Sequence, residues 1–158
     1  MSGTTSSDPV GIGDADEFGD LRKGTADPYT VAAFRRTFGH WLDQHLELDE
    51  ERVADIVLAT DEAMSNCVDH AYRVVGYAGD ITLHVSHYPV TSELKIRVID
   101  HGHWMEPDTA AKNPRGRGIL LMRALADDCT IDGGEDGTTV CLRFYGCPPN
   151  TFAISQAC

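Results

Sequence analysis

No stretch of this chain is long and apolar enough to cross a bilayer, which takes about 20 consecutive apolar residues. Residues 1–16 are rich in Ser, Thr, Gly and Asp without an apolar run, so a disordered tail is expected there and neither a signal peptide nor a membrane span. Paired cysteines are missing too. Cys67, Cys129, Cys141, Cys147 and Cys158 are odd in number and include no Cys-x-x-Cys, which fits reduced thiols in a cytoplasm better than a secreted disulfide framework. Cys67 and Cys141 are expected to be small core residues. Positive charge is scarce: 13 Lys and Arg face 25 Asp and Glu, for a net charge of −12. Such a chain repels a polyanion, so direct nucleic-acid binding is excluded and a basic protein partner is favoured. There is no Gly-x-Ser-x-Gly for a hydrolase nucleophile. His84, His87, His101 and His103 have no Cys or carboxylate at the spacing of a zinc site. At 158 residues the chain suits one domain with a real core.

Within this acidic background one window stands out. From Thr109 to Ala126 there is no Asp or Glu, while Lys112, Arg115, Arg117 and Arg123 all fall inside it. The same window holds Gly116-Arg117-Gly118, a glycine-rich turn opening an apolar helix. Free N–H groups at such a helix start, with the macrodipole and nearby cations, favour a phosphate group. Further upstream, Glu62, Asn66 and His70 fall at successive i, i+4 steps, so a helix places a carboxylate, a carboxamide and an imidazole on one face. A carboxylate and a neutral oxygen ligand beside a core suit a hydrated magnesium ion, which takes few protein ligands. Between these segments a strand-like run ends in Asp100-His101-Gly102. There the carboxylate can accept from an exocyclic amine, and the glycine lets a flat ring approach the backbone.

Asp27-Pro28 reads as the cap and first position of an amphipathic helix reaching about Leu46. A second helix is expected from about Asp49 to Val75, and a third over 118–126. Period-two alternation predicts strands over 81–86 and 94–99, joined by a turn containing Pro89, and two more over 129–132 and 138–144. An additional strand near residues 18–23 would extend the sheet. The expected architecture is α+β, a two-layer sandwich with helices on one face of a mixed, mostly antiparallel sheet. The domain is expected over 17–146, with an irregular tail over 147–158.

The motifs, in their order over residues 27–144, resemble those of the GHKL ATPases, and most closely the anti-sigma-factor serine kinases of the RsbW and SpoIIAB type. Glu62 and Asn66 match that family's Glu-x-x-x-Asn helix motif, Asp100 and Gly102 its first glycine box, Gly116 and Gly118 its second, and Gly137-Thr138 a Gly-Thr pair opening the last strand. The resemblance implies the Bergerat-type ATP-binding fold, with ATP and magnesium as cofactors. It implies Glu62 as general base, Asn66 on the magnesium, Asp100 on the adenine amine and Thr138 supporting that pocket. Either Arg115 or Arg117 fills the role of the arginine that reaches the terminal phosphate in some relatives, and His70 lies near the phosphates. Trp104 stands where the family has a second glycine, so the adenine-proximal loop is shaped differently. By the same resemblance the partners are an anti-sigma-factor antagonist (a STAS-domain protein) carrying the acceptor serine, a sigma factor and a second copy of the chain in a homodimer. Two alternatives stay open: a nucleotide-gated binding module without kinase activity, and the detached ATPase domain of a two-component sensor.

Overall fold

The computed structural model describes residues 18–71, 79–102 and 116–150, with residues 18–20, 70–71 and 116–117 described through their backbone alone. Helix α1 spans Pro28–His45, where the Asp27 carboxylate accepts from the Thr30 N–H at 2.8 Å and proline occupies the first position. Its buried stripe is Val31, Phe38, Trp41 and Leu42. Helix α2 spans Glu50–Asn66, capped by Asp49 on the Arg52 N–H at 2.7 Å, with Glu50 and Glu51 facing the positive end of its dipole. Ile56, Ala59, Ala63 and Met64 bury its inner face, and the exposed Arg35–Asp61 ion pair at 2.8 Å links it to α1.

The α-helical winding of α2 stops at Asn66, short of the expected Val75, and continues as a π-helical turn over Cys67–Ala71. Residues 72–78 lie outside the described residues. A π turn bonds i to i+5, so the row expected on one continuous α-helix is interrupted between Asn66 and His70.

Five strands form one sheet: β1 Phe18–Thr25, β2 Asp80–Tyr88, β3 Glu93–Asp100, β4 Asp128–Gly134 and β5 Gly137–Phe144. Their order is β1-β2-β3-β5-β4, and every neighbouring pair is antiparallel. The strand expected near 18–23 is therefore present as an edge. Alternation places Ile81, Leu83 and Val85 of β2, Leu94, Ile96 and Val98 of β3, and Val140, Leu142 and Phe144 of β5 in the core, where the helices cover them. The opposite face carries His84, Arg97 and Cys141, aligned across three strands. Cys141 is thus half-exposed on the outer face, contrary to its expected core position, because its register partner on β3 is Arg97 rather than a core residue.

The short helix α3, Gly116–Leu125, packs on α2 through the fully buried Met122. Beyond β5 the chain is tied back to the body. Cys147 N–H donates to the Ser92 carbonyl at 2.7 Å, Glu47 N–H to Pro148 at 3.0 Å and Asn150 N–H to His45 at 2.8 Å. Beneath this strap the buried His87 reaches the Cys147 carbonyl through Nε2 at 2.8 Å, so Nε2 carries the proton, and its Nδ1 has no partner among the described residues. Residues 1–17, which include the expected N-terminal tail, and 151–158, the greater part of the tail expected over 147–158, lie outside the described residues. Among those described, no helix is long and apolar enough to cross a membrane.

Candidate functional site

Glu62 and Asn66 lie one turn apart near the end of α2, both half-buried. The start of α3 lies against them at Gly118. A Cβ built on Gly118 would stand 3.3 Å from Glu62 Oε1, 3.3 Å from Asn66 Nδ2 and 3.4 Å from Asn66 Oδ1. Any side chain there would crowd both polar heads, so glycine keeps open the space beside them. The arrangement sets a carboxylate and a carboxamide under the first turn of a helix whose leading N–H groups have no intrahelical partner. Gly116 and Arg117 open that helix. Arg115 and the side chains of Arg117 and His70 fall outside the described residues.

The second half of the site is at the end of β3. Asp100 is 5% exposed, and its Oδ1 accepts from the Gly102 N–H at 2.9 Å. Burial raises its pKa, and the hydrogen bond from the Gly102 N–H opposes the rise. Thr138 stands directly opposite Asp100 in the β3–β5 register, and its buried Oγ1 has no hydrogen-bond partner among the described residues. A buried hydroxyl left unpaired costs roughly 1 to 3 kcal/mol, which a ligand that bonds it would recover. Gly137, with φ +144°, lies against the backbone of Asp100. A Cβ there would overlap the Asp100 carbonyl and stand 2.9 Å from His101 Cα, so the Gly-Thr pair can sit this close only with glycine first.

The two halves adjoin, because Cys67 follows Asn66 directly and the π-helical turn it opens packs against β3, the strand that ends in Asp100. One end offers a buried acceptor and an unpaired hydroxyl to a polar flat ring. The other offers a helix start, a carboxylate and an amide to phosphates. The open space at Gly118 and the orphaned Thr138 hydroxyl both fit a nucleotide in that orientation.

Residues 24–144 match the family described as the histidine kinase-like ATPase domain, which covers most of the chain. The chain belongs to that family. It is an ATP-binding family, and the two-ended site has the donors and acceptors that ATP needs. Among individual relatives, the anti-sigma F factor of Caldanaerobacter subterraneus subsp. tengcongensis is 28% identical over 72% of this chain and 84% of that protein. Among solved structures, the RsbU and RsbW domains of a Mycobacterium tuberculosis protein align with TM-score 0.62 and 24% identity, covering 80% of this chain and 32% of that one. The histidine kinase domain of a blue-light activated histidine kinase from Erythrobacter litoralis aligns with TM-score 0.55 and 18% identity over 73% of this chain and 60% of that one. The chain thus spans about a third and three-fifths of these two solved chains, and at these identities they show the shared fold of the histidine kinase-like ATPases.

Of the residues expected at the site, the structure gathers Glu62, Asn66 and Gly118 at one end and Asp100, Gly102 and Thr138 at the other. Cys67, expected as a small core residue, lies in the core at 4% exposure. One contact escaped the sequence reading. Gly137 was visible as half of a motif, but its close approach to Asp100 depends on a strand register that no local pattern reveals.

Proposed function

We propose that this histidine kinase-like ATPase is an ATP-dependent protein serine kinase of the anti-sigma-factor type, which phosphorylates an antagonist protein and sequesters a sigma factor. The observation that supports it most is the meeting of Glu62 and Asn66 with Gly118, which sets a carboxylate beside the start of a helix; in this reading the carboxylate is the general base and the helix start binds phosphate. In this proposal Asp100 and Thr138 orient the adenine, and the N–H groups opening α3 hold the phosphates. Magnesium, held through Asn66, would supply charge neutralisation on the phosphate oxygens. The antagonist serine places its hydroxyl oxygen in line with the terminal phosphorus. As that P–O bond forms, the bond to the ADP oxygen breaks, ADP leaves and the hydroxyl proton passes to the Glu62 carboxylate. Positioning and charge stabilisation supply most of the rate in such a transfer, which fits a site built from backbone donors and few side chains. The proposed setting is the cytoplasm, with the kinase acting as a homodimer.

The test is incubation with ATP labelled in its terminal phosphate and candidate STAS-domain antagonists, followed by analysis of the phosphorylated residue. Acid-stable phosphoserine on the antagonist is expected. Acid-labile phosphohistidine would point instead to the ATPase domain of a two-component sensor. ATP-dependent capture of a sigma factor with no transfer at all would point to a nucleotide-gated binding module.

A further inference from the structure

His87 is a fully buried histidine that the nucleotide site does not use. It stands opposite Leu94 in the β2–β3 register, at the other end of β3 from Asp100. Its Nε2 donates to the Cys147 carbonyl at 2.8 Å, while its buried Nδ1 has no partner among the described residues. The bond that satisfies the ring therefore comes from the strap that follows β5. The root of that strap is firmly anchored: the Tyr145 N–H donates to Asp127 at 2.8 Å and the Tyr145 carbonyl accepts from Arg52 at 3.0 Å, two residues that also pair with each other at 2.7 Å. Gly146 comes next with φ +66°, the left-handed conformation of a turn and a natural pivot. Beyond the pivot, residues 147–150 are held by the Cys147 N–H on Ser92, the Glu47 N–H on Pro148 and the Asn150 N–H on His45. Ser92, which accepts from Cys147, is itself at φ 58°, an unfavourable conformation for a residue with a Cβ.

We propose that residues 147–150 are an acid-released strap latched by neutral His87: when the imidazole takes up a proton, the strap swings away about Gly146 and water reaches both ring nitrogens, while the sheet and helices stay folded. A proton on Nδ1 creates a second N–H and a positive charge where the ring has one acceptor, the Cys147 carbonyl. The titratable groups around it do not compensate. His45, at the end of α1, adds like charge when protonated, burial keeps the Cys147 thiol uncharged, and Arg52 and Asp127 neutralise each other at the root of the strap. Burial accordingly lowers the His87 pKa, with the Cys147 carbonyl opposing and His45 assisting. With the strap open, the ring is solvated and regains its ordinary value of about 6.5. The strap is therefore closed above that pH, and opening grows as the pH falls toward the lower closed-state value, by at most about tenfold per pH unit. The strap yields before the strand does, because β2 is paired along its whole length on both sides.

The test is amide hydrogen exchange by NMR on the full chain at about pH 7.5 and about pH 5, each rate divided by the intrinsic rate at that pH, in the wild type and His87→Gln. Glutamine keeps an N–H for the Cys147 carbonyl and does not titrate. In the wild type, protection of the Cys147 and Asn150 N–H groups should fall at least about fivefold on acidification, with the amides of β3 and β5 unchanged. In His87→Gln the strap amides should show no such fall. Wild-type strap protection that does not change with pH overturns the proposal. So does a loss shared equally by β3 and β5, which is global unfolding, or a loss as large in His87→Gln as in the wild type. A second measurement needs no variant: the His87 ring signals should titrate below about pH 6.5 and over the same range in which strap protection is lost. A ring that titrates at or above its ordinary value, or outside that range, refutes the latch.

Discussion

Replacing Gly137 by alanine tests the junction on which the base end of the site depends. The perturbation is one methyl group, and the structure makes it costly in two ways. At φ +144° an L-residue is held in a region populated essentially by glycine, with a strain of roughly 1 to 3 kcal/mol. The added Cβ would also overlap the Asp100 carbonyl and approach His101 Cα to 2.9 Å. Both are backbone atoms in or beside a central strand, so nothing can swing aside and the strands must separate. Overpacking of that kind costs roughly another 1 to 3 kcal/mol. A total near 3 kcal/mol should lower the urea midpoint by about 1 to 3 M, given slopes of about 1 to 3 kcal/mol per molar for small domains. Because Asp100 and Thr138 are partners across the same junction, ATP affinity should fall in parallel even where the variant remains folded. The assay is urea denaturation followed by far-UV circular dichroism, alongside nucleotide titration below the unfolding midpoint. A Gly137→Ala variant within 0.5 kcal/mol of wild type, about the scatter of neutral surface changes, and with unchanged ATP affinity, would refute the close approach.

Gly118→Ala should behave differently, since its Cβ meets the ends of the Glu62 and Asn66 side chains at 3.3 Å rather than backbone. Those ends can move, so stability should change by no more than about 1 kcal/mol, while Mg-ATP affinity should fall about tenfold, or roughly 1.4 kcal/mol, by calorimetry. Asp100→Asn puts an amide where a pure acceptor is needed and should weaken ATP binding by about 1 to 3 kcal/mol. GTP should bind the wild type poorly, and equal ATP and GTP affinities would contradict the adenine assignment. Burial lowers the His87 pKa below its ordinary value of 6.5, with the nearby His45 adding to the effect and the Cys147 carbonyl opposing it. The unfolded chain therefore takes up the proton first, so stability is full above about pH 6.5 and falls on acidification, by at most about 1.4 kcal/mol per pH unit for one such group. Denaturation between pH 5 and 7 should show a shallower slope in His87→Phe, and an unchanged slope would assign the acid sensitivity elsewhere.

The parts of the site legible in the sequence were those governed by local spacing. Glu62 and Asn66 one turn apart required only that a helix form, and Asp49, Glu50 and Glu51 signalled where it starts. The inward rows of β2, β3 and β5 followed from period-two alternation, which made the two-layer architecture legible as well. What stayed hidden depends on contacts between distant segments. The crowding of Gly118 against Glu62 and Asn66 and the abutment of Gly137 on Asp100 are tertiary facts. The π turn at Cys67 was also hidden, because nothing in Cys-Val-Asp-His-Ala distinguishes an i to i+5 turn from a continuing α-helix. Cys141 was misplaced because a strand alternates its faces, and only the pairing with β3 decides which face is the core.

The most direct test of the proposed kinase is Glu62→Gln, measured by single-turnover phosphoryl transfer to an antagonist together with Mg-ATP titration. Gln is nearly the same size but cannot take the serine proton, and Gly118 sits beside Oε1 without requiring its charge. The variant should bind Mg-ATP almost as the wild type does, and its transfer rate should drop by about 10² to 10⁴ fold. Transfer at the wild-type rate, or a wild type that transfers to no antagonist while binding ATP normally, would contradict the assignment of Glu62 as the base of a protein kinase.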